Sequence, residues 1–372
     1  MKKINIVFLI VQLFLLAGCN IKQERKQNEI KVGAVLPLSG DVAVYGKNTK
    51  EGIDLAVEQI NNSGGINGKL IRVIYEDSKA DPKIAVSVAQ KLINIDNVQA
   101  IIDNSVSSVA LAIAPIANKN KVVLLSTGST NPKLSGISPY FFRIWNSDAL
   151  EGKVAADFVF DSLKIQKVAI AYVNNEYGNG LAEVFKRQLL SRSGSVVACE
   201  SFEQNSTNYK DIITKLKTLS FDCIYIVAYP KEIGAFLKQK VEMGLVKQVV
   251  GTVTMEDEQI IKIAGNASEN VIYPFPATPN SNDSNVARFQ SAFEKKYNKK
   301  PGITSDVGYD AIFLLSKALR LSNDITGDYI RLGLKSIKNY HGASGIIQFD
   351  ENGDVNKPFA FKIIKNKKFQ QY

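Results

Sequence analysis

From residue 30 onward, short β-rich apolar runs alternate with segments whose apolar residues recur at helical spacing, a pattern few folds accept. The runs read as strands at Lys31–Leu36, Leu70–Glu76, Ala100–Asp103, Val122–Ser126, Lys167–Val173, Ser195–Phe202, Cys223–Ala228, Val249–Thr252 and Val271–Tyr273. Between the first two, Ile53, Ala56, Val57 and Ile60 fall on one face of a helix that Gly64-Gly65 ends. Between the second and third, Asp81-Pro82 supplies an N-cap and a first-turn proline, and Ile84, Ala85, Val88, Ala89, Leu92 and Ile93 form the apolar stripe. Repeated β-α-β units imply parallel sheets covered by helices on both faces. Near residue 145, after Phe141-Phe142-Arg143-Ile144-Trp145, a fresh βα series starts. One sheet would then need more strands than open sheets usually carry, so the expected fold class is α/β with two doubly wound parallel-sheet lobes. In the tail, Gly345–Asp350 and Phe359–Lys365 read as a hairpin turning at Asn352-Gly353.

With 372 residues, 45% of them apolar, the chain can bury at least one large core, which excludes a small scaffold. Lys and Arg exceed Asp and Glu by 46 to 36, yet the excess is spread in short groups such as Lys295-Lys296 rather than gathered into a stripe, so no nucleic-acid partner is expected. The single histidine, His341, rules out a His-based metal cluster and most Ser-His-Asp or Cys-His machinery, and it reads as a hinge or loop residue. No nucleotide or nucleophile-elbow motif occurs, and no cofactor or metal is expected. Asp350, Asn352 and Asp354 open like a calcium loop, but Val355 stands where glycine is needed and Phe361 where glutamate is needed. The Glu256-Asp257 pair reads more simply as a solvated helix start than as acid and base, so no enzyme is expected.

Two lysines precede an apolar run from Ile4 to Leu16, too short and wrongly flanked for a lasting membrane span; this reads as a signal segment over residues 1–18. Its end, Leu16-Ala17-Gly18-Cys19, resembles the bacterial lipobox, which implies cleavage before Cys19 and lipid on its thiol. Residues 19–29 then form the anchor and a polar tether. The lipid bilayer is thus an expected partner, and an extracytoplasmic, membrane-anchored location is implied. Cys199 and Cys223 lie in β-like runs and read as two buried free thiols, with a disulfide open only if their strands are neighbours.

In parallel α/β sheets, ligands sit beyond the carboxyl ends of strands. Two loops there are rich in hydroxyls: Asp103-Asn104-Ser105-Val106-Ser107-Ser108, which opens a helix, and Ser126-Thr127-Gly128-Ser129-Thr130-Asn131-Pro132. Free N–H groups at a helix start beside serine hydroxyls suit a carboxylate or another small anion, although capping and turn formation explain either loop alone.

The order and spacing of Lys31-Val32-Gly33-Ala34-Val35-Leu36-Pro37-Leu38-Ser39-Gly40, Tyr45-Gly46, Ile60-Asn61-Asn62-Ser63-Gly64-Gly65, Asp81-Pro82, Ser129-Thr130-Asn131-Pro132, Glu176-Tyr177-Gly178 and Phe349–Asp354 extend over nearly the whole chain. In these the sequence resembles the type I periplasmic solute-binding proteins of the leucine/isoleucine/valine-binding group, which serve ABC importers. The resemblance implies two lobes joined by three crossovers, residues 30–148 with 274–340 and residues 149–273 with 341–372. A ligand would be buried between them. It further implies a monomer that takes a small polar solute, an amino acid or a carboxylate or amide, and an ABC permease as partner. A regulatory lipoprotein of the same fold is the alternative.

Carried over by position, the loop after the third strand meets a ligand carboxylate, but the family's serine falls on Val106, leaving Ser105 or Ser107 to supply a hydroxyl. Gly128 matches a carbonyl that accepts from an ammonium. Thr130, beside Ser129, matches the group holding both ends. Tyr45, Tyr177 and Tyr229 match aromatic walls. The family's ammonium-pairing glutamate falls on Val253, which cannot balance a buried cation. Either Glu256 or Asp257 pairs from a shifted loop, or the solute carries no ammonium.

Overall fold

The computed structural model describes residues 29–104, 106–277, 283–321 and 324–372. The expected signal segment, Cys19, most of the tether and Ser105 lie outside the described residues.

The first half of the chain runs β1 (Glu29–Leu36), α1 (Ala43–Asn62), β2 (Leu70–Asp77), α2 (Pro82–Asn94), β3 (Ala100–Asp103), α3 (Ser107–Lys119), β4 (Val123–Ser126) and β5 (Phe141–Arg143). These strands make one parallel sheet in the order β2-β1-β3-β4-β5. Apolar residues on both faces of each strand are why the runs lack polar alternation. Val32, Ala34, Leu36, Ile102 and Leu125 pack on one face, whereas Val35, Ile101 and Leu124 pack on the other. The helices dock as their stripes dictate. Asp81 caps α2 by accepting from the N–H groups of Lys83 and Ile84 at 2.7 and 3.0 Å, and Pro82 opens the first turn.

The second series runs α4 (Asp148–Asp157), prolonged by a π-turn over Phe158–Ser162, then β6 (Lys167–Val173), α5 (Glu176–Ser191), β7 (Ser195–Phe202), α6 (Lys210–Lys217), β8 (Cys223–Val227), α7 (Pro230–Glu242), β9 (Gln248–Val250), α8 (Glu258–Ala264) and β10 (Ile272–Pro276). The chain then adds α9 (Ser284–Tyr297), α10 (Ser305–Arg320) and α11 (Gly327–Ser336), whose Phe289, Phe293, Val307, Leu315 and Leu334 pack into the core under the first sheet. It closes with β11 (Tyr340–Gly342), β12 (Gly345–Ile347), β13 (Phe359–Lys365) and β14 (Lys368–Gln371). The second sheet has the order β14-β13-β10-β9-β8-β6-β7, parallel except for β13 and β14. The chain therefore passes between two α/β lobes three times, after β5, after β10 and before β13.

Three expectations are corrected. Gly345–Ile347 pairs with β11, and Phe359–Lys365 pairs with β10 and β14, so the tail hairpin turns at Asn366-Lys367 instead of Asn352-Gly353. Both turn residues adopt positive φ of 54°, as a two-residue hairpin turn requires. Ala343, Ile347, Phe349 and Val355 pack with the core of the first sheet, so the last crossing falls after Val355 rather than at residue 341. Cys223 is buried but Cys199 is exposed, because β7 is the sheet edge and alternate side chains face outward; β6 lies between the two strands and both thiols are free. His341 is exposed on β11, with Nδ1 3.2 Å from Asp283. Among the described residues no helix is long and apolar enough to cross a membrane, and no cluster of His, Cys, Asp and Glu could hold a metal ion.

Candidate functional site

A cavity of about 80 Å³ lies between the lobes. From the first lobe it is lined by Pro37, Val42, Tyr45, Asn104, Val106, Ser107, Gly128, Thr130, Ile303 and Thr304, and from the second by Tyr177, Tyr229, Val253 and Thr254, with Trp145 at the crossing. It sits beyond the carboxyl ends of β1, β3 and β4, where the parallel sheet turns its loops into helices.

The two hydroxyl loops are tied to each other before any ligand arrives. Ser107 Oγ accepts from the N–H groups of Thr130 and Asn131 at 3.4 and 3.2 Å, and the Asn104 amide donates to Thr127 Oγ1 at 2.9 Å. Gly128 suits this packing, since a Cβ there would stand 3.0 Å from the Asn104 amide, which would have to give way. Ser129 does not face the cavity. Its hydroxyl donates to Asp103 Oδ2 at 3.0 Å, as does that of Ser126, so it braces the loop from behind. Val106 occupies the N-cap of α3 with extended backbone and no side-chain cap, leaving the helix start without a competing side-chain acceptor.

The tyrosines form the opposite wall. Tyr177 and Tyr229 stack with ring centroids 5.5 Å apart, and Tyr177 donates to Thr252 Oγ1 at 3.0 Å. The Tyr45 hydroxyl is buried with no hydrogen-bond partner among the described residues, and burial pushes its pKa up, with the Asp257 carboxylate adding to the rise. Of the ten expected site residues, the structure brings Tyr45, Val106, Ser107, Gly128, Thr130, Tyr177, Tyr229 and Val253 to one cavity; Ser129 stands behind it and Ser105 lies outside the described residues.

The lobes are closed on each other. Glu176 meets Lys133 at 3.0 Å and Asp41 meets Lys231 at 3.3 Å, each pair bridging the cleft mouth, and the Asn131 amide donates to the Glu176 carbonyl. These pairs are exposed and contribute little energy, but they mark where the mouth shuts.

Glu256 is removed from candidacy as an ammonium partner. It accepts from the Tyr273 hydroxyl and pairs with Lys362 on β13, away from the cavity lining. Asp257 caps α8 through the Gln259 N–H at 2.8 Å. The acids that do crowd the site were not singled out by sequence. Asp148 and Glu151, one helical turn apart at the start of α4, are buried to 0% and 1% exposure behind Thr130, Tyr177 and Val253. Glu151 Oε1 accepts from the Val253 N–H at 2.9 Å. Burial raises Asp148 to about 7, against the pull of Thr130 and Arg143, and raises Glu151 well above the ordinary carboxylate range, with the Asp148 charge adding to it. In sequence they read only as acids in a helix's first turn.

Arg143, fully buried on β5, locks the back of the site. It grips Asp354 through Nε at 2.6 Å and Nη2 at 2.9 Å, and donates to the carbonyls of Thr130 and Asn131 and to Ser135 Oγ. Asp354 is therefore the ion-pair partner of the arginine that holds the Thr130 loop from behind. Gly353 enables the approach: at φ 81°, its carbonyl accepts from the Arg143 N–H at 2.9 Å, and a Cβ would stand 2.3 Å from the Phe141 oxygen.

The two α/β lobes enclose a cavity that both of them line. A family model described as periplasmic binding protein matches residues 29–368. The chain belongs to that family, and relatives similar to it are named as leucine/isoleucine/valine-binding proteins. It is 28% identical over 335 residues, 90% of this chain and 89% of the other, to the leucine-, isoleucine-, valine-, threonine-, and alanine-binding protein of Pseudomonas aeruginosa. It is 29% identical over 351 residues, 93% of each chain, to the leucine-specific-binding protein of Salmonella typhimurium. Its fold matches the branched-chain amino acid transporter substrate binding protein of Streptococcus pneumoniae in complex with isoleucine, with a TM-score of 0.83 at 28% identity, covering 92% of this chain and 97% of that one.

Proposed function

We propose that this protein is an extracytoplasmic receptor that captures a small polar solute between its lobes and delivers it to an ABC permease, performing no chemistry of its own. The reading is carried by one observation: the hydroxyl loops after β3 and β4 face the tyrosine wall of the second lobe across a cavity that both lobes line. Ser107, Thr130 and the uncapped start of α3 would hold a carboxylate or amide, and Tyr45, Tyr177 and Tyr229 would enclose the body of the solute. Opening and shutting of the cleft by hinge motion at the three crossings would load and release it. Relatives named for leucine, isoleucine and valine support an amino acid as the first class to try. A lipid on Cys19 would tether the receptor beside its permease, and the protein would work as a monomer.

Thermal melting against a panel of amino acids, carboxylates, amides and sugars tests the reading. A solute binding only the folded protein at 100 times its Kd adds about 2.7 kcal/mol, a readily visible shift. No shift with any solute class defeats solute capture. The anchor is tested separately, by Cys19→Ala, which should release the protein from the membrane fraction.

A further inference from the structure

A second cavity, of about 380 Å³, lies wholly within the first lobe and shares no lining residue with the one between the lobes. It sits where α1, α9, α10 and β11 come together. Its walls include three aromatic rings: Tyr309 and Phe313 on α10, with centroids 4.7 Å apart, and Tyr340 on β11. Bonds between the four elements hold it in shape before any ligand arrives. Tyr309 donates to Gln59 Oε1 on α1 at 2.7 Å, and the Asn285 amide at the head of α9 donates to the His341 carbonyl at 2.7 Å.

Two cations line this space, Arg288 of α9 and Arg320 of α10, and no acid does. Every other described arginine, Arg72, Arg143, Arg187, Arg192 and Arg331, reaches a carboxylate. Among the described residues Arg288 and Arg320 form no ion pair; the first donates to Asn285 Oδ1 at 3.4 Å and the second to the Gly65 carbonyl at 2.9 Å. A guanidinium carries five N–H donors, so most of both forks is uncommitted. Two acids touch residues of the lining, and both are engaged. Asp310 accepts from the N–H groups of Ala343 and Ser344 and from Ser344 Oγ, while Asp283 faces His341 Nδ1 at 3.2 Å. Arg288 lies against the ring wall, since it opposes the rise in the Tyr309 pKa that burial and the Asp310 charge cause.

We propose that this cavity is a second binding site, for an organic anion with a flat apolar body, whose carboxylate, sulfonate or phosphate group is taken by Arg288 and Arg320 while its body lies against Tyr309, Phe313 and Tyr340. Its volume is within the range that small-molecule sites occupy, and aromatic walls with a few convergent polar groups are their usual lining. Both arginines are exposed, and exposed ion pairs alone contribute little. The charged group therefore selects the ligand and the body covered by the rings holds it. The site stands apart from solute capture between the lobes, so either can fail without the other.

The test is calorimetric titration of the purified full chain with naphthoate, with its neutral counterpart naphthamide and with inorganic phosphate, repeated with the double substitution Arg288→Gln and Arg320→Gln and, separately, with Thr130→Ala. Naphthoate should bind at least about tenfold more tightly than either the amide or phosphate. The double substitution should weaken naphthoate at least about tenfold, while Thr130→Ala, which alters the cavity between the lobes, should change it by less than about twofold. In the native protein naphthoate affinity should fall several-fold as salt is raised from about 0.02 M to about 0.5 M, a readout that needs no variant. Amide or phosphate binding as tight as that of the acid would overturn the proposal. So would naphthoate affinity that survives the double substitution, that is lost in Thr130→Ala, or that is absent at millimolar concentration in the native protein.

Discussion

At the scale of single residues, the cavity divides into groups that line it and groups that hold them in place. Thr130 does both, lining the cavity with its side chain while its carbonyl accepts from Arg143 at 2.9 Å and from the Asp148 N–H at 2.8 Å. Removing its hydroxyl takes away a cavity-lining group and its bond to Asp148 without touching those backbone ties. Thr130→Ala is therefore expected to weaken solute binding more than about tenfold, or about 1.4 kcal/mol, while the protein still folds cooperatively; equal affinity in the variant would take this loop out of the site. Which hydroxyl faces the solute was only partly legible. Ser126, Ser129 and Thr130 are equivalent as letters in a glycine-rich loop, and it is Asp103, buried beneath, that draws the first two inward. Asp148 and Glu151 were missed for a similar reason: their burial depends on residues distant in sequence, among them Tyr177, Tyr225 and Val253, that surround the start of α4.

At the scale of elements, the sequence pattern located β3, β6 and β7 to the residue and most other strands to within one or two, because parallel strands buried on both faces are continuous apolar runs flanked by turn and cap signals. The tail failed that test. Gly345–Ile347 and Phe359–Lys365 alternate well enough to pair with each other, but pairing is settled at a distance: β13 completes the edge that β10 leaves open, Ile272 opposite Ile363 and Pro276 opposite Phe359. Local signals that are not contested in this way carry definite energies. Asp81 is the only side-chain cap of α2, so Asp81→Ala should cost about 1 kcal/mol in urea unfolding and, lying away from the cavity lining, leave solute affinity unchanged.

At the scale of the whole molecule, buried carboxylates make stability depend on pH in an unusual direction. Asp148, raised to about 7, and Asp310, raised to about 6 chiefly by burial, hold protons in the folded state that the unfolded chain gives up near its ordinary carboxylate range. For such groups the folded state binds more protons, so their contribution is fully present below about pH 4 and is lost as pH rises through the folded values. The ligand-free protein should accordingly melt at a lower temperature at about pH 8 than at about pH 5.5, and Asp148→Asn should reduce that difference.

The Arg143–Asp354 pair ties the first crossing of the chain to a residue 211 positions later. Read along the time axis of synthesis, this means that the loop carrying Thr130 has no settled floor until almost the last residue is available. A nascent chain that has produced both hydroxyl loops, Tyr177, Tyr229 and even α11 still holds this guanidinium without its carboxylate partner. A chain cut short before Asp354 would carry every cavity-lining residue and lack the carboxylate that fixes the loop behind them.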